Sequence, residues 1–87
     1  MIYDACNKPK ADIIYSVHYW NKRFKRSERD FVKLEKALEF AKKLREQAAH
    51  EDRAIGIIIW KYKWYADDND YILQYNGGIE DFEKELQ

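Results

Sequence analysis

Two clusters of like charge hold the residue types and spacings that could do chemistry in this 87-residue chain. Lys22, Arg23, Lys25, Arg26 and Arg29 place five cations within eight residues, beside Tyr19, Trp20 and Phe24. Cations offset phosphates and ring faces stack on bases, so this basic arm has the makings of a nucleic-acid-binding module with Trp20 and Phe24 as platforms. Of opposite sign are Asp67, Asp68 and Asp70, followed by Glu80, Asp81, Glu83 and Glu85. An acidic face of that kind suits a basic groove on a protein, including one built for phosphates, with Tyr71 or Tyr75 as aromatic anchors. Each cluster also has a plainer account. The arm can be a solvated loop and the acids a solvated helix face, each balancing the other.

Catalytic materials are scarce. The chain has no threonine, Ser27 reads as a helix cap, and Ser16 lies mid-strand with no evident base nearby. His18 and His50 lie far apart, and neither has a second His or Cys at ligand spacing, which argues against zinc; His18 is expected on the more polar face of its strand. Asp67, Asp68 and Asp70 lack the glycine and late glutamate of a calcium loop. Gly56, Gly77 and Gly78 are the only glycines and form no phosphate-cradling pattern. The expectation is a protein without enzymatic activity, metal or cofactor.

Overall charge is zero, yet it is unevenly laid out. Residues 1–65 carry fifteen Lys/Arg against nine Asp/Glu, whereas residues 66–87 carry Lys84 against seven acids. Such a gradient means either two poles with different partners or a tail that folds back on the basic remainder. Aromatic residues are 16% of the chain, enough for a single domain of this size to fill its core with rings or to display them. Cys6 is the sole cysteine, which favours a reducing cytoplasm. The apolar stretch Ala54 to Trp60 is too short to span a bilayer, so no membrane association is expected.

The elements that would position these clusters follow from periodicity. Ile2 to Ala5 reads as a short strand, and Cys6 to Lys10 as a turn around the only proline. From Asp12 to Trp20, Ile13, Tyr15, Val17 and Tyr19 alternate with more polar residues, marking a strand whose odd face is the core face. Residues 21–26 fit a loop or the return arm of a hairpin. Ser27 with Asp30 approximates a capping box, which starts a helix there. Its stripe runs through Phe31, Leu34, Leu38, Ala41, Leu44 and Ala48. A long strand spans Ala54 to Tyr65, with Trp60, Tyr62 and Trp64 on one face and Lys61 and Lys63 on the other; the rings are core if the long helix covers them and a binding surface if it does not. Residues 66–70 make a hairpin loop leading to a strand over Tyr71 to Tyr75. Asn76-Gly77-Gly78 offers positive-φ tolerance for a tight exit, and Ile79, Phe82 and Leu86 mark a short closing helix.

The fold class read from this is one α+β domain over residues 1–87, in β-β-α-β-β-α order. A mainly antiparallel sheet carries one long helix on one face and a short C-terminal helix. The functional expectation is a small binding protein that occupies a surface of a larger complex. Its partner would be a protein with a basic, nucleic-acid-binding surface. Size, charge density and lack of catalytic equipment fit the class of phage and mobile-element accessory proteins that inhibit host defence systems. The alternative is the nucleic-acid-binding arm, and a short edge strand at Ile2–Ala5 offers a route to a homodimer or to strand addition.

Overall fold

The structure, a computed structural model, describes residues 11–20, 26–53 and 55–86. The chain runs β1 (Ile13–Trp20), β2 (Arg26–Phe31), α1 (Leu34–His50), β3 (Gly56–Tyr65), β4 (Asp70–Gly77) and α2 (Ile79–Glu83). A single 3-10 turn, Lys84–Leu86, follows α2. The β-β-α-β-β-α order and the α+β class agree with the periodicity of the sequence. The strands form one antiparallel sheet in the order β2-β1-β3-β4.

The strand expected over Asp12 to Trp20 is β1, whereas β2 falls where the sequence pattern started the helix. Ser27 and Asp30, read as a capping box, lie within β2, where Ser27 pairs with Tyr19 and Asp30 with Ser16. Alternation explains the strand: Arg26, Glu28 and Asp30 share one face, while Arg29 and Phe31 share the other. There the Arg29 guanidinium lies 5.2 Å from the Phe40 ring centroid. Packing of that sort against α1, together with the ladder to β1, outweighs the local capping preference. The helix begins seven residues later, at Leu34. The proposed strand at Ile2–Ala5 and the turn at Cys6–Lys10 lie outside the described residues.

Helix α1 buries Leu34, Ala37, Leu38, Ala41 and Ala48, at the spacings of three and four that make one stripe. Small Ala37 and Ala41 let the helix axis approach the sheet, and Val17 and Ile59 fill the gap from below, all fully buried. The helix ends in a Schellman motif. The Arg53 N–H donates to the Ala48 carbonyl at 2.9 Å and the Asp52 N–H to that of Ala49 at 3.1 Å. Asp52 occupies the left-handed position at φ 51°.

Helix α2 docks on the same face as α1. Its Phe82 is fully buried, with Tyr75 stacked on it at 4.8 Å and Tyr15 meeting it edge-on at 6.1 Å. The expected positive-φ exit at Gly77-Gly78 is absent, since no described glycine has positive φ. Gly77 is required instead by crowding: a Cβ there would stand 2.9 Å from Asp81 Oδ2, the atom that accepts the Gly78 N–H. The left-handed residue of the β3–β4 turn is Asn69, at φ 50°.

Strand β3 turns its rings away from both helices, one of the two arrangements that the alternation leaves open. Fully buried Ile59 points at α1, and strict alternation then commits Ile57, Lys61 and Lys63 to the helix side and Trp60, Tyr62 and Trp64 to the other. Lys61 finds a place there by lying over the Tyr15 and Tyr75 rings and pairing with Glu85. A β-bulge after Lys61 leaves Gln74 without an opposite residue. Beyond it Leu73 faces Tyr62 and Tyr71 faces Trp64, adding both to the helix-free side.

Candidate functional site on the helix-free sheet face

Register places Ile14, Ser16, His18 and Trp20 of β1 beside Ile58, Trp60, Tyr62 and Trp64 of β3. Glu28 and Asp30 flank them from β2, and Leu73 and Tyr71 from β4. Both helices pack on the reverse face, so among the described residues no helix covers this one. Its rings form a stack: His18 lies 4.8 Å from Trp60 at 21° between planes, and Trp60 lies 6.2 Å from Tyr62 at 22°. Trp64 meets Tyr71 edge-on at 5.3 Å. The β4 rim is apolar, with Leu73 37% exposed.

Beneath the rings the face turns polar. His18 shares the more polar face of β1 with Ser16, as the alternation predicts, and the two are buried there, Ser16 at 3% and His18 at 4% exposed. Sequence reasoning found no base near Ser16, yet His18 Nε2 lies 3.1 Å from Ser16 Oγ and 3.4 Å from Glu28 Oε2. The i, i+2 spacing on one strand was a signal for that pairing; Glu28 was legible only once β2 was known to pair with β1. Serine, histidine and glutamate in contact invite comparison with a hydrolytic triad. The geometry excludes it, because both partners address the same nitrogen and Nδ1 has no partner among the described residues. A triad needs the carboxylate on one ring nitrogen and the nucleophile on the other. Burial holds the His18 pKa below its ordinary value despite the upward pull of Glu28. A neutral ring that donates from Nε2 satisfies the carboxylate and leaves Nδ1 as an unpaired acceptor.

Tyr62 and Tyr71 have raised phenol pKa values, each mainly through burial, and the carboxylates of Glu28 and Asp30 add to the effect at Tyr62. Both remain neutral hydroxyls at physiological pH. The Tyr71 hydroxyl donates to the Ala11 carbonyl at 2.6 Å and ties the entry of β1 to β4.

The acids named from sequence are spread over two regions. Asp67, Asp68 and Asp70 sit at the β3–β4 turn and are exposed. Glu80, Asp81, Glu83 and Glu85 lie on α2 and the turn after it, beyond the opposite end of β4, roughly 25 Å of strand away. Glu80 binds Arg45 at 2.7 Å, Glu83 lies 3.5 Å from Lys42, and Glu85 holds Lys61 and the Tyr75 hydroxyl. Asp81 caps Gly78. The tail thus folds back onto α1 and β3, and the Arg45 hydrogen bond lowers the Glu80 pKa. Tyr75 is stacked on Phe82 and Tyr71 is 4% exposed.

Of the basic arm, Lys22, Arg23, Phe24 and Lys25 lie outside the described residues. Trp20 and Arg26 close the β1–β2 ladder on the helix-free side, with the Trp20 ring over Gly56. Arg29 is on the helix side against Phe31 and Phe40, so the structure parts it from Trp20 and Arg26. No group of three or more potential metal ligands occurs among the described residues, and no described helix is long and apolar enough to cross a membrane. No protein-family model, curated protein or solved structure matches the chain.

Proposed function

We propose that the protein is a non-enzymatic binding domain that seats its helix-free sheet face on a basic surface of a larger protein assembly. The observation that carries this reading is the placement of Trp60, Tyr62, Trp64 and Leu73 on the face opposite both helices. Stacked rings offer large rigid area at low entropic cost, the composition that dominates protein interfaces. Glu28 and Asp30 border the rings with negative charge, which sets a basic partner apart from an acidic one. Where that basic surface is one that handles nucleic acid, the bound domain would occupy the phosphates' place and act as an inhibitor.

The acids of the C-terminal segment are a weaker choice for the contact, because Glu80, Glu83 and Glu85 already neutralise cations of the same chain. Affinity capture with nuclease treatment tests the proposal. A discrete protein should survive nuclease and be lost with Leu73→Ser plus Trp64→Ser. Retention of the same protein by that variant, or recovery of nucleic acid alone, overturns it.

A further inference from the structure

One pocket opens on the helix-free face at the junction of all four strands. It has a volume of about 220 Å³ and is lined, among the described residues, by Ile14, Ser16, Glu28, Asp30, Tyr62 and Tyr71. That is room for a side chain and far more than a single water occupies. Its chemistry is one-sided: two carboxylates, a buried hydroxyl and two phenols, with no lysine or arginine among those lining residues. An anion would meet repulsion from Glu28 and Asp30.

The geometry points to a pocket that receives one arginine side chain of the protein partner, an assignment resting on the protein-binding reading above. Glu28 is 59% exposed at its side chain, and a carboxylate has about four acceptor sites, so its approach to His18 leaves capacity for a second donor. Asp30 lines the same wall and adds charge without needing to be free of its other contacts. Ser16 Oγ, within reach of His18 Nε2, keeps a further lone pair for a donor at the pocket floor. The Tyr62 ring is the wall, continued by Trp60 and His18 in nearly parallel planes.

A planar fork fits this arrangement better than a point charge. A guanidinium can lie against the Tyr62 ring and present paired N–H groups to Glu28, whereas a lysine ammonium cannot make the bidentate contact. Cation-over-ring attraction adds to the carboxylate contact in a partly desolvated site.

The test is a titration of the isotope-labelled full chain with N-acetyl-arginine amide, N-acetyl-lysine amide and N-acetyl-citrulline amide, followed by amide and indole resonances. The arginine compound should shift Ser16, Tyr62 and the Trp60 indole saturably. Citrulline, which has the shape without the charge, should bind about tenfold more weakly, and Glu28→Gln should weaken the arginine compound by a similar factor. Lysine should fall between. Equal shifts from citrulline, or undiminished arginine binding by both Glu28→Gln and Asp30→Asn, would overturn the pocket assignment. If that occurs while Leu73→Ser plus Trp64→Ser still loses the captured protein, the face remains the interface and only its arginine recognition fails.

Discussion

His18 and Trp60 stack on the sheet face that neither helix covers, with ring centroids 4.8 Å apart and planes 21° apart. The histidine comes from β1 and the tryptophan from β3, so their contact ties the two central strands together. It also creates the domain's clearest pH dependence. Glu28, Asp30 and Arg26 face the imidazole from β2 and Tyr62 shares its face on β3, yet burial dominates and holds the folded pKa below the unfolded value of about 6.5.

As pH falls through about 6.5, the unfolded chain takes up the histidine proton first, so stability declines until the folded pKa is passed. Above about pH 8 this contribution is flat. Denaturant midpoints at a series of pH values should show the decline in wild type and a shallower one in His18→Phe, which keeps the stack but cannot titrate. Identical slopes would contradict this assignment.

Core and display surfaces should separate in a stability measurement. Phe82 is fully buried between Tyr15 and Tyr75, so Phe82→Ala should cost about 3–5 kcal/mol. Leu73→Ala, at a position 37% exposed on the helix-free face, should cost under about 1 kcal/mol. Urea unfolding of both variants checks the contrast, and a large loss at Leu73 would mean that its face is packed.

The end of α1 carries a correctable strain. Asp52 holds the left-handed position of the Schellman motif, where glycine has no steric penalty. Asp52→Gly should therefore raise stability by about 1 kcal/mol and Asp52→Val should lower it. Thermal unfolding of the pair gives the sign directly.

Gly77 and Asp81 form a coupled pair. An alanine Cβ at position 77 would meet Asp81 Oδ2 at 2.9 Å and push it from the Gly78 N–H. Gly77→Ala should destabilise the wild type, and less so in an Asp81→Ala background, where the cap is already lost and only the contact with the Cβ at position 81, 3.1 Å away, remains. A double-mutant cycle measures the coupling, and additive effects would contradict it.

The sequence made the α+β order legible because Ile13 to Tyr19 alternate, Leu34 to Ala48 repeat at helical spacing, and Tyr65 and Tyr71 bracket a polar turn. It misassigned Ser27 to Phe31 because a capping pattern and an edge strand both tolerate serine and aspartate; only pairing with Tyr15 to Tyr19 decides between them. The direction of Trp60, Tyr62 and Trp64 was open for a related reason. Alternation says that rings and lysines oppose each other, but which set meets the helix depends on Ile59 and on the aromatic bed that Tyr15 and Tyr75 make for Lys61. The junction of Ser16, His18 and Glu28 needed the same missing strand. The charges of Glu80, Glu83 and Glu85 were visible, whereas their use in holding α2 to α1 and β3 was set by tertiary packing.

The central claim is that the helix-free face is the contact surface, and site-specific photocrosslinking tests it most directly. Leu73→p-benzoylphenylalanine places a photoreactive group on that face, and Glu46→p-benzoylphenylalanine places one on the exposed side of α1. The account predicts a discrete, nuclease-resistant protein adduct from position 73 and none from position 46. An adduct from position 46 with none from position 73 would contradict it.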